Sequence, residues 1–238
     1  MVFDGNRLAK EIKEELAASG VLVGKRLIIF QTGDKESTYV RLKREMGESL
    51  GVKVRVVFSE GAPDLTRLNE NVDGVLVQLP IVGVDEKGRD DILRQIPKEK
   101  DVDGLNPDSN VFLPAVVVAV EKILVKVGVD KDKMTVAVVG SKGMIGKALV
   151  KRFSAKGFDM GDDLARLKDF DVVISATGQP GLVKASMVKE GVVAVDLGYP
   201  KADFDDGVKE KASVITPVPG GVGPVTVLSL FENLSKTG

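Results

Sequence analysis

Short Val/Ile/Leu runs alternate with helix-spaced segments along nearly the whole chain, and this alternation narrows the fold more than any other feature. The segment "NRLAKEIKEELAAS" carries Leu8, Ile12 and Leu16 at helical spacing and reads as an opening helix. "KRLIIFQT" follows as a buried strand, "STYVRLKREMGESLG" as a helix ending at Gly51, and "VKVRVVFS" as a strand. "APDLTRLNE" reads as a short helix and "DGVLVQLP" as a strand stopped by Pro80. A second series starts near Pro114, after a turn-rich stretch "LNPDSNVFLP". There, "PAVVVAVEKILVKVG" fits helix or strand by periodicity, and its length favours helix. "MTVAVVG", "FDVVISATG" and "GVVAVDLGY" read as strands, "MIGKALVKRFSAKG" and "GPVTVLSLFENLSK" as helices. Continuous apolar strands between helices imply an α/β fold with mainly parallel sheets covered on both faces. At 238 residues the chain suits one large domain or two small ones.

Composition matters here mostly through absences. The chain has no Cys, which excludes disulfides, thiolate nucleophiles and cysteine metal sites. It has no His, which removes the commonest general base and histidine metal ligands, so no metal site is expected. Acid–base chemistry must come from Lys, Asp, Glu or Tyr. A net charge of −1 argues against nucleic acid as a partner. No apolar run reaches membrane-spanning length and the N-terminus lacks a signal-like segment, so no membrane association and a cytoplasmic location are expected.

Six stretches could carry chemistry. "VAVVGSKGMIGKAL" places glycines 140, 143 and 146 between a strand and a helix, where backbone can approach a pyrophosphate. The spacing is GxxGxxG rather than GxGxxG, and a tight turn without ligand is the competing reading. "ISATGQPG" repeats the strand-to-turn pattern and suits an opposite wall. In "STYVRLK", Tyr39 and Lys43 are four apart and share a helix face. A solvated face is the plain alternative, but a lysine drawn into a cleft can serve as acid or base. Gln78 ends a hydrophobic strand, and "KDVDGLNP" sets Asp101 and Asp103 before a glycine turn. Finally, "ITPVPGGVGPVT" puts stiff prolines and permissive glycines side by side, ahead of the last apolar run.

Taken in order, "STYVRLK", "DGVLVQLP", "KDVDGLNP", "DVVISATGQPG", "VVAVDLG" and "ITPVPGGVGPVT" resemble the bifunctional methylenetetrahydrofolate dehydrogenase/methenyltetrahydrofolate cyclohydrolases over nearly the whole chain. The resemblance implies two domains with a cleft between them. Residues 1–113 plus 217–238 would form an αβα folate-binding catalytic domain, and residues 114–216 a Rossmann-like NAD(P)-binding domain. It also implies oxidation of 5,10-methylenetetrahydrofolate with NADP (NAD in some members), then hydrolysis to 10-formyltetrahydrofolate. By motif, Lys43 would be the acid–base group, Tyr39 would stack on the folate ring, Gln78 would hold Lys43, and Asp103 would bond the pterin. Val77, Leu79, Pro219, Gly220 and Gly221 would complete the folate site. The cofactor would meet Gly140, Ser141, Lys142, Gly143, Ile145, Gly146, Thr177, Gly178, Tyr199, Gly223 and Thr226. A homodimer is the family's usual assembly.

The chain departs from the family pattern in three places. Only Pro114 remains of a usual "PCTP", after a shortened loop. Ser141 and Lys142 stand where many members have Arg-Ser, leaving a point charge rather than a fork for a 2′-phosphate. Where the family has a further strand before "DVVISATG", only "GFDMGDDLARLKDF" fills the gap, and its Asp159, Asp162 and Asp163 suit either a ribose 2′-OH, hence NAD, or capping of "LARLKDF". Family habit favours NADP. A monofunctional dehydrogenase and a folate- or dinucleotide-binding protein without turnover are the competing readings.

Overall fold

The computed structural model describes residues 1–65, 68, 71–130 and 133–238. It divides into two compact units, one of Lys10–Ala115 with Val227–Gly238, the other of Met1–Ala9 with Val116–Thr226. Among the described residues no helix is long and apolar enough to cross a membrane.

The first unit is built on three parallel strands, β1 (Arg26–Thr32), β2 (Lys53–Ser59) and β3 (Gly74–Val77), in the order β2-β1-β3. Register pairs Leu27 with both Val54 and Gly74, so β1 is the buried middle strand. Leu27, Ile28, Ile29 and Phe30 are almost wholly buried, as a strand covered on both faces requires. Helices α1 (Gly5–Ser19), α2 (Thr38–Ser49) and α3 (Glu86–Leu93) belong wholly or mostly to this unit. Packing is tight enough to dictate glycine: a Cβ on Gly47 of α2 would lie 2.8 Å from Val54 and 2.9 Å from Phe231. Gly74 is held in the same way by Leu234 and Val102.

The second unit carries helix α4 (Ala115–Lys126) and five parallel strands. These are β4 (Val136–Val139), β5 (Lys156–Phe158), β6 (Val172–Ser175), β7 (Val193–Asp196) and β8 (Val214–Ile215), in the order β5-β4-β6-β7-β8. Helix α5 (Met144–Phe153) links β4 to β5, and a short helix α6 (Val208–Lys211) precedes β8. Its core joins Ala137, Val139, Phe158, Val173, Ala194 and Ile215 from the strands to Leu167, Phe204 and Val208 from the connections. The final helix α7 spans Val222–Ser235.

Several sequence expectations need correction. The strand expected to be missing after α5 is present as β5. Helix α5 ends at Phe153 because Ser154 turns left-handed at φ 50°, which frees Lys156–Phe158 to pair with β4. The ambiguous run after Pro114 is helical, as its length indicated. Helix α3 was not anticipated; it opens where Asp85 Oδ1 accepts the Gly88 N–H at 2.8 Å. The short helix expected over 62–70 lies partly outside the described residues. The compact units are cut differently from the sequence division at residues 1–9 and 217–226, which fall with the second unit; there Phe3 and Met1 exchange backbone hydrogen bonds with Ile215.

Within the first unit Asn233 of α7 is buried, and its Nδ2 donates to the carbonyls of Val102 (3.0 Å) and Leu113 (3.1 Å). Both acceptors lose their partner in Asn233→Ala, which is expected to destabilise the protein by about 1–3 kcal/mol in urea unfolding. An unchanged midpoint would show that water replaces the amide.

Candidate active site

In both sheets the strand that follows the first crossover lies on one side of the first strand, and the next strand lies on the other. Connections leaving in opposite directions open a crevice beyond the carboxyl ends of β1 and β3, and of β4 and β6. Lys43, Gln78 and their neighbours gather at the first of these places, and the glycine loop with Thr177 and Gly178 at the second.

In the first unit the crevice is organised by Gln31, the polar end of β1. Its Oε1 accepts the Ser37 N–H at 2.8 Å and its Nε2 donates to the Lys35 carbonyl at 2.6 Å, fixing the loop that enters α2. Ser37 then caps α2 by accepting the Val40 N–H at 3.3 Å. From that start Val40, Lys43 and Gly47 form the buried stripe of the helix. Lys43 therefore occupies a position normally apolar, with 7% of its surface exposed, and the solvated-face alternative fails. Its Nζ donates to Gln78 Oε1 at 3.1 Å and lies 3.6 Å from Asp103 Oδ2. Gln78 in turn donates through Nε2 to the Leu79 carbonyl at 2.8 Å, which settles the orientation of its amide. Tyr39, one turn before Lys43, is half-buried; Val77 is buried at the end of β3 and Leu79 half-buried just beyond it.

Asp103 is placed by a rigid turn. Gly104 has φ +68°, and a Cβ there would lie 2.5 Å from the Leu113 carbonyl oxygen, so only glycine fits. The Asp103 carbonyl accepts the Ala115 N–H at 3.0 Å. Asp101 is buried, with Oδ2 accepting the Asn106 N–H at 2.7 Å and Oδ1 without a hydrogen-bond partner. Burial pushes its carboxyl up to about 6, the Asp103 charge adds to this, and backbone N–H groups of Asn106, Leu105 and Gly104 oppose it.

In the second unit the loop after β4 is a backbone cradle. Gly140 has φ +84°, and a Cβ on it would lie 2.6 Å from the Ala176 carbonyl oxygen. A Cβ on Gly146 would lie 2.0 Å from the Gly140 oxygen, so α5 starts pressed against the loop. Gly143 is the N-cap of α5 and supplies no side-chain cap, leaving the first-turn N–H groups around Met144, Ile145 and Gly146 for another acceptor. Ser141 is half-buried and the Lys142 side chain exposed. Backbone approach, an uncapped helix end and glycines that cannot be replaced fit the pyrophosphate of a dinucleotide.

Thr177 and Gly178 face this loop from the end of β6, held by a residue that sequence reasoning missed. Asp203 is fully buried, and its Oδ2 accepts from Ser175 Oγ (2.8 Å), Thr177 N (2.9 Å), Thr177 Oγ1 (2.8 Å) and Gly178 N (3.2 Å). Asp196, at the end of β7, receives the N–H groups of Gly198, Asp203 and Phe204, and burial raises its pKa against those bonds. Nothing local in "PKADFDDG" separates Asp203 from its acidic neighbours; Gln31, a polar residue near the end of an apolar run, carried a signal like that of Gln78.

The remaining candidates are carried elsewhere in this unit. Tyr199 lies in the turn after β7 and is 55% exposed. Gly223 and Thr226 lie at the start of α7, where Thr226 Oγ1 donates to the Val222 carbonyl at 3.1 Å. In the Pro217–Gly221 stretch, Pro219 is exposed and Gly220 has φ +97°. The Gly220 carbonyl accepts the Gly5 N–H at 3.0 Å, and a Cβ on Gly5 would overlap the Gly221 oxygen at 1.8 Å. Contacts inside the protein thus already require small residues here. Among the described residues no group of acidic side chains could hold a metal ion.

The second unit is a dinucleotide-binding α/β domain by its loop, and the first an α/β domain with a buried lysine at its switch point. A model of the tetrahydrofolate dehydrogenase/cyclohydrolase catalytic domain matches residues 3–103, and one of the NAD(P)-binding domain of that family matches residues 114–237. The bifunctional protein FolD of Mycoplasmopsis synoviae (strain 53) is 33% identical, covering 94% of this chain and 93% of the relative. The bifunctional FolD methylenetetrahydrofolate dehydrogenase/cyclohydrolase structure from Campylobacter jejuni has a TM-score of 0.88 at 31% identity, covering 99% of this chain and 97% of that one. The FolD of Trypanosoma brucei, solved with NADP cofactor and inhibitor, has a TM-score of 0.85 at 30% identity, covering 98% and 95%. The chain belongs to the tetrahydrofolate dehydrogenase/cyclohydrolase family.

Two outcomes test this geometry. Asp203→Ala strands a buried hydroxyl and the Thr177 and Gly178 donors; it is expected to cost about 2–4 kcal/mol in chemical unfolding. A loss below half a kcal/mol would mean those donors find other partners. For Asp101, a folded-state pKa near 6 against the ordinary 3.8 makes its contribution to stability full below pH 4 and lost as pH rises through 6. Asp101→Asn should therefore remove a stability decline of about 3 kcal/mol between those values, read from urea midpoints across the range. The same decline in both proteins would assign it to another group.

Proposed function

We infer that the protein oxidises 5,10-methylenetetrahydrofolate to 5,10-methenyltetrahydrofolate with NADP and hydrolyses that product to 10-formyltetrahydrofolate. The observation that carries this is the buried Lys43 ammonium, held between Gln78 Oε1 and Asp103 Oδ2 in a chain without histidine. When bound, NADP supplies the two-electron acceptor that the oxidation needs. Gly140, Ser141, Lys142, Gly143, Ile145 and Gly146 would hold its phosphates and ribose, with Thr177 and Gly178 opposite and Tyr199, Gly223 and Thr226 completing the site.

Oxidation leaves a carbon cation shared between two nitrogens, open to water. Addition of water releases a proton, and ring opening returns one to nitrogen. Lys43 Nζ is the group for this transfer. Gln78 Oε1 takes one Nζ donor and Asp103 Oδ2 lies 3.6 Å from Nζ, so of the three ammonium donors one would remain for substrate. Tyr39 would stack on the folate ring and Asp103 would also bond the pterin. Val77, Leu79, Pro219, Gly220 and Gly221 would line the folate site; by role, residues 1–113 and 217–238 would make the folate part and 114–216 the cofactor part, although residues 1–9 and 217–226 pack with the second unit. We further propose a homodimer; β5, an edge strand paired only with β4 among the described residues, offers an unsatisfied edge.

Replacing Lys43 with Met keeps the side-chain length and removes the charge and donors. Hydrolysis of methenyltetrahydrofolate should fall by roughly a hundredfold or more, with an unchanged circular dichroism spectrum and retained dinucleotide binding. Hydrolysis at the unaltered rate would leave a monofunctional dehydrogenase.

A further inference from the structure

The three aspartates after β5 do different things. Asp163 Oδ1 accepts the Ala165 N–H at 3.0 Å and so caps the short helical turn Leu164–Asp169. Asp162 Oδ2 accepts the Asp159 N–H at 2.7 Å. Asp159 alone is directed at the dinucleotide loop: its Oδ2 accepts the Lys142 N–H at 2.8 Å.

The loop and strand end are locked together. Gly140 N and Ser141 N both donate to the Phe158 carbonyl, at 2.9 and 3.1 Å. Gly157 has no space for a side chain, since a Cβ would lie 2.7 Å from Ser141 Cβ. Asp159 thus stands immediately after the strand that follows the loop helix, nineteen positions beyond Gly140. In α/β dinucleotide sites an acidic residue at about this distance accepts from the ribose 2′-OH. Its Oδ1 takes the Met160 N–H at 2.9 Å, and each carboxylate oxygen still has acceptor capacity. A 2′-phosphate in the same place would meet a fixed negative charge, because the Lys142 and Met160 N–H groups hold this carboxyl below the usual range. The exposed ammonium of Lys142 is the opposing feature, a point charge suited to that phosphate.

We propose that Asp159 and Lys142 together give the adenosine end of the site dual acceptance, Asp159 taking the ribose 2′-OH of NAD and Lys142 the 2′-phosphate of NADP. The proposal rests on the reading of the second unit as the nicotinamide domain. Asp159 acts here as a specificity residue for that site.

The test is calorimetric binding of NAD and of NADP to the full chain without folate. The unaltered protein should bind both, with dissociation constants within about tenfold of each other. Asp159→Asn keeps an acceptor for the Lys142 N–H and removes the charge; it should move the NADP-to-NAD affinity ratio toward NADP by about tenfold. Lys142→Ala should move the ratio the other way. A purely structural role for Asp159 weakens both dinucleotides alike, so an unmoved ratio overturns the proposal. If Asp159→Asn does not fold, Lys142→Ala decides: its ratio must shift toward NAD. Failure of the unaltered protein to bind either dinucleotide, while still hydrolysing methenyltetrahydrofolate, would overturn the nicotinamide reading itself.

Discussion

Burial of parallel strands on both faces is the constraint on which the rest depends. A strand such as Leu27–Phe30 or Val136–Val139 has nowhere to place a polar side chain except its ends. Each crossover then returns to the opposite edge, so every strand delivers its carboxyl end to the same rim. Because β2 and β3 flank β1, and β5 and β6 flank β4, each sheet has one place where connections diverge. Gln31, Lys43 and Gln78 collect at the first place; Gly140, Thr177 and Gly178 collect at the second.

At those rims the protein solves one problem repeatedly: how to keep a buried polar group satisfied while it shapes a loop. Gln31 does so with two backbone partners, Asp196 with three, and Asp203 with four donors on a single oxygen. Unmaking such contacts costs more than making them gains, so loops held this way have one arrangement. Asp203 Oδ1 is nonetheless left without a partner, and Asp101 likewise has one oxygen bonded and the other unpartnered, with a second carboxylate nearby. Burial and that neighbouring charge disfavour its ionised form, which raises its pKa.

A chain without histidine or cysteine leaves lysine and carboxylate to handle both proton transfer and ligand charge. The two units use this pairing differently. Lys43 and Asp103 are drawn out of solvent, where an amide from Gln78 completes their environment. Lys142 and Asp159 stay near the surface, where what matters is which of two charges a ligand meets.

Much of this was legible in the sequence. Unbroken apolar runs declare parallel strands, the glycines at 140, 143 and 146 declare a backbone that must come close, and the ordered motifs declare the family. These are local properties, set by steric limits and side-chain period. Four-residue spacing put Tyr39 and Lys43 on one helix face but did not say that the face is buried; packing of α2 against Val54 and Phe231 decided that. The three-residue β5 was hidden because so short a strand has no pattern of its own and exists through pairing with β4. Asp203 and Asp159 were ordinary members of acidic runs until the fold brought partners 26 and 17 positions away in sequence onto them. A side chain's type is written in the sequence; the neighbours that give it a role are assigned only when distant segments pack.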